Sequence, residues 1–316
     1  MKMILRQPAC HLALLLALTV CVYSFGLPGI FKLDDSLFIL SNKYLQIESL
    51  DAASIKEAVF TNKRWPLYRA TGMFTFALQH VYDWMEPVDF KRINIAIHVL
   101  NGILVYGFTL LLLNFCNSDN SRMRQHTRLA ALFVAAVWLL HPIQTSTVLY
   151  SFQRVTQLSA LFVFAGLITY TSARIGMINK GENPLYAISG ILIFGFLAAI
   201  SKENGALLPL YALCLELTIF RFRARARKHS LLIAIFLLCT AVIPLLAATI
   251  YYTLPDVVEK RFAHRSFTLT ERLMTESRVL WFYLSLVFWP NIQRMALMHD
   301  DFILSTGLLS PWTTIF

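Results

Sequence analysis

Apolar runs long enough to cross a bilayer recur along this chain, and no other feature constrains its fold as strongly. Spanning about 30 Å of hydrocarbon takes about 20 apolar residues in a helix. Backbone in lipid must satisfy its own hydrogen bonds, which leaves helices or closed barrels. The runs are Ala9 to about Ile30, Phe90 to Leu113, Leu129 to Leu140, Val155 to Ile175, Leu185 to Ile200, Gly205 to Phe220 and Leu231 to about Leu254. They predict an all-α, polytopic membrane helix bundle of about seven spans.

Composition supports this class: 57% of the 316 residues are hydrophobic and 15% charged, with a mean hydropathy of +0.59, where a soluble domain carries about 25% charged residues. No flexible linker, low-complexity tract or internal repeat interrupts the chain, so residues 1–316 read as a single transmembrane domain. The net charge of +10 points to membrane topology rather than nucleic acid, because the basic residues sit mostly in short loops between spans. The five cysteines are scattered, mostly within apolar runs, and show neither metal-ligand spacing nor a secreted disulfide framework.

The first run follows Lys2 and Arg6 and continues past Cys21, favouring an uncleaved helix that enters from the cytoplasm over a cleaved signal peptide. Residues 32–87 then form a first extracytoplasmic loop, with a helix over Asp51 to Phe60 capped by Ser54 and an amphipathic helix over Tyr68 to Tyr82 at the outer interface. Alternation places the basic loops after the second, fourth and sixth spans in the cytoplasm. These loops carry Arg122, Arg124 and Arg128, then Arg174 and Lys180, then Arg221, Arg223, Arg225, Arg227 and Lys228. The last cluster reads as a positive-inside anchor or a contact for anionic head groups of membrane lipids. Residues 255–316 form an extracytoplasmic interfacial segment, since Val279 to Trp289 would cover only about 16 Å as a helix. The ending at Pro311 to Phe316 reads as though more sequence follows, so a C-terminal truncation is expected.

The same alternation brings three polar clusters to the outer face: Asp34-Asp35, the His141 to Arg154 stretch after a helix break at Pro142, and Ser201-Lys202-Glu203. Ionisable residues at membrane depth are costly and point to function. Asn94, His98 and Asn101 form a stripe on the second span that faces the bundle interior, as helix glue or as a substrate contact. The hydroxyls of Thr145, Ser146, Thr147 and Ser151 have no His-Asp partner set and serve the broken helix. This set of groups suits attack by an acceptor hydroxyl on a sugar carried by a polyprenyl phosphate. A carboxylate takes the hydroxyl proton and cations stabilise the departing phosphate. Adjacent residues point apart, so one aspartate is the base; Asp34 is slightly favoured and the choice stays open.

Phe31-Lys32-Leu33-Asp34-Asp35, Pro66-Leu67 and Asn94-xxx-His98-xx-Asn101 resemble the N-terminal half of the GT-C membrane glycosyltransferases. They are most similar to the tetratricopeptide-linked protein O-mannosyltransferases and their bacterial relatives. The ordered match continues through His141-Pro142-Ile143-Gln144-Thr145, Gln153-Arg154, Leu158 to Leu161, Ser201-Lys202-Glu203, Arg278-Val279-Leu280 to Pro290, and Ser305 to Leu309 with Pro311. The resemblance implies a GT-C-like fold and an inverting O-mannosyltransferase-like enzyme. Its donor would be a polyprenyl-phosphate-linked sugar, its acceptor a protein Ser/Thr or a glycan, and the acidic motif would supply the base.

Together with the polar clusters, it makes Asp34 and Asp35 the catalytic candidates. Arg64, Arg69, His98, Asn101, His141, Gln144, Gln153, Arg154, Lys202 and Glu203 are the substrate-binding candidates. No cofactor and no metal-ligand cluster is expected, although a divalent metal stays open. The chain departs from the family where Trp65 precedes Pro66, with Arg64 one residue earlier. It departs again at Ser146, where the family commonly has an acidic residue, and it ends before the later spans and repeats. The expected location is a multi-pass membrane protein with a cytoplasmic N-terminus and an extracytoplasmic site, facing a periplasm-like space or a lumen. A transporter or flippase for a lipid-linked substrate, or an inactive scaffold remnant of the transferase fold, are the alternatives.

Overall fold

The computed structural model describes residues 8–60, 67–117, 126–296, 299 and 302–315. Among them every regular element is a helix, with one isolated antiparallel bridge, Gly307 to Ser310, and no strand. The α-helices are α1 (Pro8–Ser24), α2 (Ala52–Phe60), α3 (Ala70–Val81), α4 (Pro87–Cys116), α5 (Thr127–Leu140), α6 (Thr145–Leu149) and α7 (Arg154–Asn179). They continue with α8 (Leu185–Ser201), α9 (Leu208–Leu215), α10 (Arg227–Leu237), α11 (Ile243–Thr253), α12 (Pro255–Phe262) and α13 (Leu269–Phe288).

Each of the seven apolar runs contains helix, the first only as far as Ser24, and four helical stretches are long and apolar enough to cross a membrane: Pro87–Cys116, Ser151–Asn179, Glu203–Phe220 and Arg227–Thr253. Thr127–Leu140 and Pro142–Leu149 make a fifth if counted together, bent by 47°. The bend falls where Pro142 removes a backbone donor. Cys10–Ser24 and Leu185–Ser201 are apolar but shorter. Leu129, Phe133 and Val137 on α5 and Leu192, Ile193 and Phe196 on α8 are exposed, an apolar surface suited to lipid.

The contacts divide the chain into two compact units, Met1–Leu140 with Gln144–Ala241, and His141–Ile143 with Val242–Phe316. The boundary at Val242 falls inside the run read as the seventh span. In the first unit α4 packs against α5 and α7, and α8 lies along α7. One core gathers Phe76, Phe90, Phe152, Val155 and Ile39; a second gathers Tyr170, Met177, Ile191, Leu208, Phe220 and Ile233. Two glycines allow close approaches that bear on the site. A Cβ at Gly72 would strike the Val155 side chain, so glycine lets α3 lie against α7. A Cβ at Gly205 would strike the Ala198 backbone, so glycine lets the chain turn back on α8 just after Lys202.

Two local expectations are corrected. Asp51, not Ser54, caps α2: its carboxylate accepts the N–H groups of Ala53 (2.9 Å) and Ser54 (3.0 Å). Hydrogen bonds from Ser49 and Ser54 hold that carboxyl below the usual range. In the second unit, α13 starts ten residues before the apolar stretch at Val279, because Thr268 and Glu271 form a capping box. Its first half carries Glu271, Arg272, Glu276 and Arg278, so its 20 residues do not make a membrane-spanning stretch.

Candidate active site

The first unit holds most of the predicted polar residues, and two of them, Arg69 and Arg154, lie against aromatic rings. Where the chain leaves α1, Lys91 Nζ donates to the carbonyls of Gly26 (3.2 Å) and Leu27 (3.1 Å), closing that helix end. Leu33 then takes a left-handed φ of 44°, a conformation that costs a non-glycine residue about 1–2 kcal/mol. The buried Asp35, 2% exposed, holds the turn. One of its oxygens accepts the Lys32 N–H at 3.0 Å, the other the Phe152 N–H at 2.8 Å. Burial pushes the Asp35 carboxyl above the usual range, and those two donors pull against it.

Asp34 lies on the outside of the same turn and is exposed. Its N–H donates to the Tyr150 hydroxyl at 2.8 Å. The sequence treats the two aspartates alike; the fold separates them into one buried anchor and one carboxylate open to solvent.

Arg69 also has a left-handed φ, 56°. Its guanidinium lies over the rings of Tyr68 (4.6 Å), Phe152 (5.1 Å) and Phe38 (5.7 Å), and Phe38 and Phe152 stack on one another at 4.5 Å. Glu203 Oε1 is 3.8 Å from Arg69 Nε. That is an ion pair too long for a hydrogen bond, and the buried Nε has no hydrogen-bond partner. Lys202 stands in extended conformation between α8 and the 3₁₀ turn Glu203–Leu207. Its ammonium donates to the Thr156 hydroxyl at 2.7 Å, which in turn donates to Gln153 Oε1 at 2.5 Å. Burial lowers the Lys202 pKa, the charge of Arg69 lowers it further, and Glu203 opposes both.

Beneath this layer is a polar network with no access to solvent. Arg154 is 0% exposed. Its Nε donates to Asn94 Oδ1 (3.0 Å) and its Nη2 to the Phe90 carbonyl (3.2 Å), while Phe76 and Phe90 cover its faces. The Asn94 amide donates to the carbonyls of Tyr150 (3.2 Å) and Ser151 (3.3 Å). His98 Nε2 lies 3.0 Å from the Leu139 carbonyl with its ring stacked on Trp138, and Asn101 donates to the Gln157 carbonyl at 3.0 Å. The stripe on α4 therefore serves carbonyls at the end of α5, in the break before α7 and in the first turn of α7.

Gln144 is half-buried at the start of α6. His141 belongs by its contacts to the second unit. Its Nδ1 accepts the Ile143 N–H at 3.2 Å, so its Nε2 carries the proton offered to the Val287 carbonyl at 3.0 Å. Arg64 falls outside the described residues. Among the described residues no group of three His, Cys, Asp or Glu side chains could hold a metal ion.

Sequence reasoning missed Tyr150 and a fully buried pair on α7 and the π-helical segment Glu216–Phe220. In that pair Arg174 Nε and Nη2 donate to the two Glu216 oxygens at 2.5 and 3.0 Å. Tyr170 Oη and the Phe222 N–H complete the carboxylate's partners at 2.7 and 2.9 Å. Glu216 was detectable as a lone acid in an apolar run. Tyr150 carried no such signal, because a tyrosine beside a helix break is ordinary in sequence.

The chain is 25% identical over 238 residues to human Protein O-mannosyl-transferase TMTC1, a match covering 71% of this chain and 25% of that protein. It is 24% identical over 198 residues to human Protein O-mannosyl-transferase TMTC4, covering 60% of this chain and 27% of that protein. The chain thus spans about a quarter of the length of these curated relatives. No family model matches, and no solved structure matches. The chain is thus a helical membrane protein with weak similarity to two human protein O-mannosyl-transferases.

Proposed function

We propose that the protein is an inverting membrane glycosyltransferase, transferring a sugar, by analogy with its relatives a mannosyl group, from a polyprenyl phosphate to a hydroxyl on the extracytoplasmic face. One observation carries the reading. The exposed Asp34 adjoins Asp35, which accepts the Phe152 N–H, while the Phe152 ring lies under the Arg69 guanidinium and Lys202 bonds Thr156 in the same unit. In this mechanism the acceptor oxygen bonds to the anomeric carbon as its proton passes to Asp34. The bond from that carbon to phosphate oxygen breaks, and its electron pair leaves with the phosphate toward Arg69 and Lys202. Water then takes the proton from Asp34. A single displacement inverts the anomeric centre.

In this scheme Asp35, Arg154, Asn94, His98 and Asn101 hold the turn and the broken helices in place, while Gln153 and Glu203 orient the cations. The test is Asp34→Asn in membranes bearing the protein, supplied with labelled polyprenyl-phosphate mannose. Release of label from the lipid should fall at least about 100-fold, the scale of a lost general base. Undiminished transfer would overturn the assignment.

A further inference from the structure

Asp35 has two backbone donors of its own, whereas Asp34 sits exposed on a strained turn. The side chain that reaches it is Tyr150, 9% exposed, in the break between α6 and α7. The Tyr150 hydroxyl accepts the Asp34 N–H at 2.8 Å. A phenol has one proton to give, and that proton remains free for the neighbouring Asp34 carboxylate. Burial pushes the phenol up to about 12, with the Asp34 N–H opposing and the charges of the two aspartates adding to it, so it stays a donor across the physiological range. The tyrosine is itself fixed: its carbonyl accepts from Asn94 at 3.2 Å, and Asn94 accepts from the buried Arg154 at 3.0 Å.

We propose that Tyr150 is a positioning residue for Asp34, its hydroxyl taking the Asp34 N–H and turning its own proton to that carboxylate so that the free oxygen faces an incoming acceptor hydroxyl. The role rests on Asp34 being the base. It gives the buried arginine a purpose without contact to substrate, since Arg154 and Asn94 set the backbone from which Tyr150 projects.

Tyr150→Phe keeps the ring in its pocket and removes the hydroxyl alone. In the full chain, hydrogen exchange at the Asp34 amide should accelerate about 10-fold or more. The Phe152 amide, held by Asp35, should be unchanged. Transfer should lose about 10- to 100-fold in kcat while KM for the lipid-linked sugar stays within about twofold, the pattern of a contact that acts on the transition state. A merely structural role would not separate kcat from KM in this way. Unchanged exchange at Asp34 would overturn the proposal whatever the activity. An inactive Asp34→Asn beside a Tyr150→Phe of wild-type kcat would overturn the positioning role alone. An active Asp34→Asn would overturn the base and the positioning role with it.

Discussion

Glu216→Gln is expected to destabilise the first unit severely, because it strands the Arg174 charge in the interior. Both side chains are 0% exposed, and the carboxylate accepts from Arg174 Nε, Arg174 Nη2, Tyr170 Oη and the Phe222 N–H. Glutamine keeps one acceptor oxygen and turns the other into a donor facing donors. Removing one member of a buried pair costs about 3–5 kcal/mol, most of it from the unpaired charge left behind. For a domain of 150–250 residues each kcal/mol moves Tm by about 2–4 °C, so the midpoint in detergent should fall by roughly 6–20 °C. The double variant Arg174→Met with Glu216→Leu should recover part of that loss, since apolar replacement of a whole buried pair is often near neutral. The unsatisfied Tyr170 hydroxyl and Phe222 N–H would keep about 1–3 kcal/mol of it. Thermal unfolding of wild type and these two variants decides the matter. A Glu216→Gln protein within about 1 kcal/mol of wild type, or a double variant as unstable as the single one, would refute the reasoning.

Asp35→Asn should act on stability rather than chemistry. Its amide would face a backbone N–H with a donor and cost about 1–3 kcal/mol in chemical denaturation, while the folded fraction retains its turnover. Lys202 should make donor binding sensitive to alkaline pH. Its pKa lies below the ordinary lysine value, so it loses its charge, and KM for the donor rises, at a lower pH than for a free lysine at about 10.4. Lys202→Arg should abolish that alkaline rise, and Arg69→Ala should move it upward by removing a neighbouring positive charge. His98→Phe should leave the Leu139 carbonyl without its imidazole donor and cost about 1–3 kcal/mol in thermal unfolding, with KM for the donor unchanged; a raised KM would instead put His98 in contact with substrate.

The membrane-helical class and the positions of the polar motifs along the chain were legible in the sequence by itself, because hydropathy, proline breaks and charge in short loops act within a few residues of the chain. Partnership was not legible. Asp34 and Asp35 are adjacent and chemically alike, and they separate only when Phe152 and Tyr150, more than a hundred residues on, present an N–H to one and a hydroxyl to the other. Arg154 looks from its motif like a surface cation for phosphate, yet Phe76 and Phe90 close over it. Arg174 reads as a loop-end charge until Glu216, 42 positions later, arrives against it. Burial and hydrogen-bond partners are set by contacts between helices distant in sequence, where desolvation decides which polar group must be paired and which is left free to react. The tertiary structure alone therefore decided that Asp34 is the open carboxylate and Asp35 its anchor.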